Sequence, residues 1–271
     1  RKKISMIDLK EKKYLVAGLS MPDGIAAGIG RRLEQCGASV LYTVMNSDLK
    51  AEAAKANPGV EKDRIFVSNF KFEESISAMA EDLTDRGIRL DGAVNATGYA
   101  DPGEMEEPFR ESSWEAMEEA HAINVIGTRF FFTEILDLLN DGASLLVLSY
   151  HPGAAFAIPG YHLMGIQKAA LESLMRYLAL DFGQIGRGLR VNAISPGILP
   201  TRSARAVSGF QIGMEYEAKI SPQTRNVSMD EVTAEAAWLL SPFSSGTNGQ
   251  VRIIDTGFLA AAMNPRILKD V

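Results

Sequence analysis

The chain has 271 residues, 46% hydrophobic and 23% charged, with 28 Lys+Arg against 34 Asp+Glu and a formal net charge of -6. This composition excludes a mainly disordered chain and provides no cationic surplus for a nucleic-acid surface. The single cysteine, Cys36, excludes an intramolecular disulfide and a cysteine-based zinc site.

The length fits one large α/β domain or two of about 150 residues each. No run of about 18 apolar residues marks a membrane helix. The basic start at residues 1–3 leads into mixed polarity rather than the apolar core of a secretory signal, so a cytoplasmic protein is expected. In chain order, an apolar β-type run at 14–17 ends at Gly18, and residues 25–36 read as a helix stopped by Gly37. Strands follow at 39–44 and 64–68. Residues 72–86 are helical, with Ile76, Met79, Ala80 and Leu83 at helix spacing, and 92–95 form the next strand. Residues 113–139 read as one long helix, 144–149 as a buried strand and 161–182 as a helix. A strand at 190–194, a helix at 229–240 and a last strand at 251–255 complete the pattern.

Seven apolar strands separated mostly by helices predict parallel pairing, because each return to the sheet needs a crossover. Helices on both faces account for strands that are apolar throughout. The predicted fold is a Rossmann-type doubly wound seven-stranded parallel sheet, one domain over 1–271, with its ligand at the carboxyl ends of the strands where their order reverses.

Two strand ends suit a dinucleotide. The first leads into Gly18-Leu19-Ser20-Met21-Pro22-Asp23-Gly24-Ile25, a turn that brings backbone close to phosphate ahead of a helix N-terminus with free N–H groups. Its glycines are spaced more widely than G-x-G-x-x-G, and taken alone they also fit a tight turn. The fourth strand ends in the small residues Asn95-Ala96-Thr97-Gly98, beside the first. After the second strand, Val44-Met45-Asn46-Ser47-Asp48 has no Arg or Lys to accommodate a 2′-phosphate, which favours NADH; it also has no acid at the strand end. Ser68 and Asn69 end the third strand, where they can reach an adenine edge or simply terminate it.

Tyr161 and Lys168 are seven residues apart on a predicted helix, nearly two turns, so both project from one face. An ammonium beside a phenol can polarise it, and the phenol can then stabilise or protonate a nearby oxyanion. The three histidines, His121, His151 and His162, have no ligand spacing and no carboxylate cluster, so no metal is expected. No Gly-x-Ser-x-Gly elbow surrounds Ser149, which argues against a serine hydrolase.

With these residues the chain resembles the short-chain dehydrogenase/reductase superfamily and, within it, the bacterial enoyl-acyl-carrier-protein reductases. Most of the superfamily shows Tyr-x-x-x-Lys. The enoyl reductases place six residues between Tyr and Lys, as between Tyr161 and Lys168, and position 165 is Gly. Leu148-Ser149-Tyr150, Ala157-Ile158-Pro159, Val191-Asn192-Ala193-Ile194-Ser195 and Ala261-Ala262-Met263-Asn264 also match, and the resemblance spans about residues 9–264.

The resemblance implies NADH-dependent reduction of the trans-2 double bond of enoyl thioesters in fatty-acid biosynthesis, with NADPH as the alternative coenzyme. Tyr161 would hold the thioester carbonyl and its enolate, Lys168 the nicotinamide ribose, and Tyr150 would lie near the acyl chain. Gly18, Gly24 and Ile25 would line the diphosphate, Met45 the adenosine ribose, and Asn69 and Phe70 the adenine. Thr97 and Gly98 would flank the nicotinamide, Ala100 the substrate, and Leu199 and Thr201 the carboxamide and diphosphate. Residues 202–227 would form a flap over the acyl chain, with Phe210, Ile212 and Met214 facing it. Acyl carrier protein would be the partner, met by Arg202, Arg205 and Arg225, and the assembly a homotetramer.

Several residues depart from the enoyl reductases. Gly24 stands where they commonly have serine, and Met45 where they often have a polar or basic residue. One extra residue separates Tyr150 from Tyr161. Asn124-Val125-Ile126-Gly127 and Ser195-Pro196-Gly197 lean towards ordinary short-chain dehydrogenases, and Asp255-Thr256-Gly257 replaces a commoner Asp-Gly-Gly. Two alternatives therefore stand beside the enoyl reductase: a carbonyl/alcohol oxidoreductase using Ser149, Asn124, Tyr161 and Lys168, and a non-catalytic dinucleotide-binding sensor.

Overall fold

Side chains alternate across a strand, and the first strand, β1 (Lys13–Ala17), uses that alternation to feed two cores. Leu15 and Ala17 enter one cluster, and Tyr14 and Val16 the other. The computed structural model describes residues 7–205, 207 and 209–261. Within them β1 is followed by α1 (Ile25–Gln35), β2 (Ser39–Val44), α2 (Ser47–Ala56), β3 (Ile65–Val67), α3 (Glu73–Asp85) and β4 (Leu90–Asn95). Then come α4 (Pro102–Glu106), α5 (Trp114–His121), α6 (Gly127–Glu134), β5 (Leu139–Leu148), α7 (His151–Ala155) and α8 (His162–Gln184). The chain continues through β6 (Arg190–Pro196), α9 (Arg202–Arg205), α10 (Phe210–Ile220), α11 (Met229–Leu240) and β7 (Val251–Ile254).

The seven strands are all parallel, in the order β3-β2-β1-β4-β5-β6-β7. The order reverses between β1 and β4, where Ala17 lies opposite Asn95. One cluster packs α3, α6 and α8 on one face through Leu83, Phe131, Phe132, Met175 and Phe182. The other packs α1 and α11 on the opposite face through Ile29, Leu33, Val232 and Leu240. Gly28 lets α1 and α11 approach, since a Cβ there would lie 2.8 Å from the Met229 sulfur. Among the described residues no helix is long and apolar enough to cross a membrane.

The predicted single helix over 113–139 is broken. A π-helical turn at Ala122–Ile126 separates α5 from α6. Its cause is Asn124, whose side-chain amide donates to the Ala120 carbonyl at 2.7 Å, competing for an acceptor one turn back, and to the Tyr99 carbonyl at 2.6 Å. A short 3-10 turn at Leu136–Leu138 then closes the segment, and Leu139 already pairs with Leu90 as the start of β5. Five helices were not predicted: α2, α4, α7, α9 and α10. α2 is capped by the Asn46 side chain on the Leu49 amide, and α4 by Asp101 on the Glu104 amide. α7 begins directly after Tyr150.

Candidate active site

At the reversal point the backbone leaves a notch. Gly18 has φ +94°, and a Cβ there would lie 3.1 Å from the Ala96 and Thr97 backbone, so only glycine keeps the β1 and β4 ends this close. Asn95 fixes the far wall: its Oδ1 accepts from the Thr97 amide and hydroxyl at 2.8 and 2.6 Å, and its Nδ2 donates to Thr128. Gly24 is the N-cap of α1 and makes no side-chain cap, so the N–H groups of Ile25 and Ala26 face out of the helix end. An uncapped N-terminus beside a glycine notch fits a diphosphate.

Along the rim, Met45 is 54% exposed at the end of β2. Ser68 is buried, and its hydroxyl has no protein partner among the described residues, an orphaned group that an adenine edge could satisfy. The Asn69 backbone N–H donates to the Ser75 hydroxyl, and its Oδ1 accepts from the Lys71 backbone amide. Phe70 differs from its expected place on the adenine: its ring is in the core, 5.1 Å from Phe131. Leu199 likewise joins the core beneath α1 and α11, and the Thr201 hydroxyl caps the Ala204 amide.

Gly98 brings the notch to the lysine. A Cβ on Gly98 would lie 3.9 Å from Lys168 Nζ and 3.5 Å from Asn124 Oδ1. Lys168 is 5% exposed and donates to the Leu148 carbonyl at 2.8 Å. Burial lowers its ammonium pKa to about 8, against a smaller upward pull from Glu172. Tyr161 is the N-cap of α8. Its ring is seated by Gly153, where a Cβ would lie 2.6 Å from the ring edge. Desolvation pushes its phenol up, so the expected lowering by the lysine is not what governs it, and the hydroxyl stays protonated at neutral pH. Tyr150 meets Tyr161 edge to face at 5.4 Å, and its hydroxyl donates to Glu217 at 3.0 Å. Ala100 packs with Met164 and Tyr161 in a third apolar cluster that also touches Val207.

The flap segment contains α9 and α10; its Ala206 and Ser208 lie outside the described residues, as do residues 262–264 of the C-terminal match. Phe210 and Met214 line a cleft of about 330 Å³ with Pro200, Arg205 and Ala218, whereas Ile212 is turned to solvent.

Two carboxylates went unrecognised in the sequence. Glu172 is buried, accepts from the Ser149 hydroxyl at 2.6 Å and meets His151 Nδ1 at 2.9 Å. The signal was its position one turn after Lys168 on an apolar face. Glu217, equally buried, carried no local signal, because its partners lie 19 and 67 residues away.

The family model described as enoyl-(acyl carrier protein) reductase matches residues 18–259. The enoyl-[acyl-carrier-protein] reductase [NADH] of Escherichia coli is 32% identical over 96% of this chain and 99% of its own length. The corresponding [NADPH] enzyme of Staphylococcus aureus is 32% identical over 94% and 99%. The crystal structure of the reductase from Anaplasma phagocytophilum in complex with NAD superposes with a TM-score of 0.87 at 29% identity, over 95% of this chain and 97% of that one. With a family match over residues 18–259 and relatives 32% identical over 94–96% of its length, the chain belongs to the enoyl-(acyl carrier protein) reductase family.

Proposed function

We propose that the protein reduces the trans-2 double bond of enoyl thioesters carried on acyl carrier protein, with NADH as reductant, in fatty-acid synthesis. The bound coenzyme supplies the hydride for the β-carbon. Gly18 and the Gly24–Ile25 helix end bind its diphosphate, Ser68 and Asn69 its adenine side, and Thr97, Gly98 and Thr201 its nicotinamide end. Lys168 holds the ribose. Tyr161 donates a hydrogen bond to the thioester oxygen as negative charge gathers there, a solvent-derived proton then completes the α-carbon, and Ala100 and Tyr150 border the acyl chain. NADH is preferred because nothing basic stands between Val44 and Asp48 to neutralise a 2′-phosphate.

One observation carries the choice of an enoyl over a keto substrate. The Ser149 hydroxyl, the second donor that a carbonyl reductase would use, is buried on Glu172, and Asn124 is held on the backbone of Tyr99 and Ala120. The experiment is loss of nicotinamide absorbance with a crotonyl thioester and, separately, with a 3-ketoacyl thioester, using NADH and then NADPH. Enoyl-dependent loss supports the proposal. Loss with the keto substrate alone favours the carbonyl reductase, and coenzyme binding without turnover favours the sensor.

Of the three arginines suggested for the carrier protein, Arg225 is paired with Glu231 at 2.7 Å, whereas Arg202 and Arg205 are exposed on α9. The homotetramer finds support in exposed Ile166, Tyr177 and Leu180 on α8 and Ile253 on the edge strand β7; light scattering reads the mass. Under this proposal the protein acts in the cytoplasm, where a carrier protein and a dissociable coenzyme meet.

A further inference from the structure

α10 is an 11-residue helix whose one buried residue is an acid, Glu217, 4% exposed. Most helices dock by an apolar stripe. This one is held by a carboxylate with two directed bonds. Oε1 accepts from the Tyr150 hydroxyl at 3.0 Å, and Oε2 from the Ile198 amide at 2.8 Å. Gly197 makes room for the second bond, since a Cβ there would lie 2.9 Å from Oε2. No Lys, Arg or His pairs with Glu217 among the described residues. A buried carboxylate without a cation depends on its hydrogen bonds, so losing one is costly.

Under the proposed site, the two partners belong to different parts of it. Tyr150 stands edge to face with Tyr161, on the acyl side. Ile198 leads into Leu199 and Thr201, on the coenzyme side. We infer that Glu217 is a positioning residue that ties flap helix α10 to Tyr150 and to the 198–201 segment, so that the flap, the acyl-side tyrosine and the coenzyme-side loop are held as one unit. The inference rests on the proposed enoyl reductase site for its kinetic consequence, but not for the tie itself.

The test is a double-mutant cycle with Tyr150→Phe and Glu217→Leu in the full chain, the second variant having no polar group to replace either bond. Hydrogen–deuterium exchange of residues 210–220 reports the tie without any substrate. Each single variant is expected to speed exchange about tenfold or more, the scale of one hydrogen bond to a charged group. The double variant should be no faster than Glu217→Leu alone, because that variant already lacks the bond that Tyr150→Phe removes. KM for the crotonyl thioester should rise in the same non-additive pattern, with kcat changed less than KM. Unchanged protection of 210–220 in Tyr150→Phe, which keeps the ring and its packing, overturns the inference, as does a double variant whose effects multiply. If the wild type turns over no enoyl thioester, the functional proposal fails while the exchange cycle still decides the tie.

Discussion

Lys168 donates from Nζ to the carbonyl of Leu148 at 2.8 Å, tying the amine of α8 to the last residue of β5. The partner is neutral, so burial outweighs the attraction of Glu172 and draws the ammonium down to about 8. Lys168 is therefore positively charged below about pH 8 and loses its charge as pH rises through that value. NADH affinity should fall over the same interval. Fluorescence titration from pH 6.5 to about 9.5 reads this, and an affinity flat across the range would remove Lys168 from the coenzyme site.

Tyr161 carries a phenol that desolvation keeps protonated, which suits a hydrogen-bond donor to a developing oxyanion. Replacing it by Phe should cut turnover by about 10²–10³, as for loss of one such donor, with NADH affinity little changed. Steady-state kinetics with a crotonyl thioester checks this, and near-wild-type turnover would reject the role.

Gly18→Val places a branched side chain at φ +94° and against the Ala96–Thr97 backbone. The strained backbone costs about 1–3 kcal/mol, and the β1–β4 notch must open. Thermal melts should shift down by several degrees, and NADH affinity should fall about tenfold or more. Wild-type binding in this variant would mean that the coenzyme does not lie across the notch.

Ser149→Ala removes the hydroxyl that donates to Glu172 at 2.6 Å. Stability should drop by about 1–3 kcal/mol, since a buried carboxylate loses a donor. Enoyl turnover should stay within about threefold of wild type. A collapse as large as that of Tyr161→Phe would instead favour the carbonyl reductase.

The strands were legible because their apolar runs are continuous and bounded by turn residues, and all seven appear in the sheet. The predicted helix over 161–182 was legible from its apolar periodicity, and its start falls one residue later because Tyr161 is the non-helical N-cap of α8. The long helix was misread because periodicity continues through Asn124, whereas its side chain rewires the turn. α2, α4 and α7 are short or weakly apolar, so periodicity does not mark them. The resemblance put Phe70 at the adenine, yet the space beside Phe131 draws its ring inward.

By itself the sequence determined the parallel α/β order and the glycine turn that closes the β1 end against β4. Each follows from local rules: strand and helix period, and glycine's access to positive φ. Only the tertiary structure decided that Ser149 serves Glu172, that Tyr150 is held by Glu217 and that burial draws the Lys168 ammonium down to about 8. Those outcomes depend on which groups meet across distant segments and on how completely water is removed from them. Both are set by packing, which no spacing along one segment encodes.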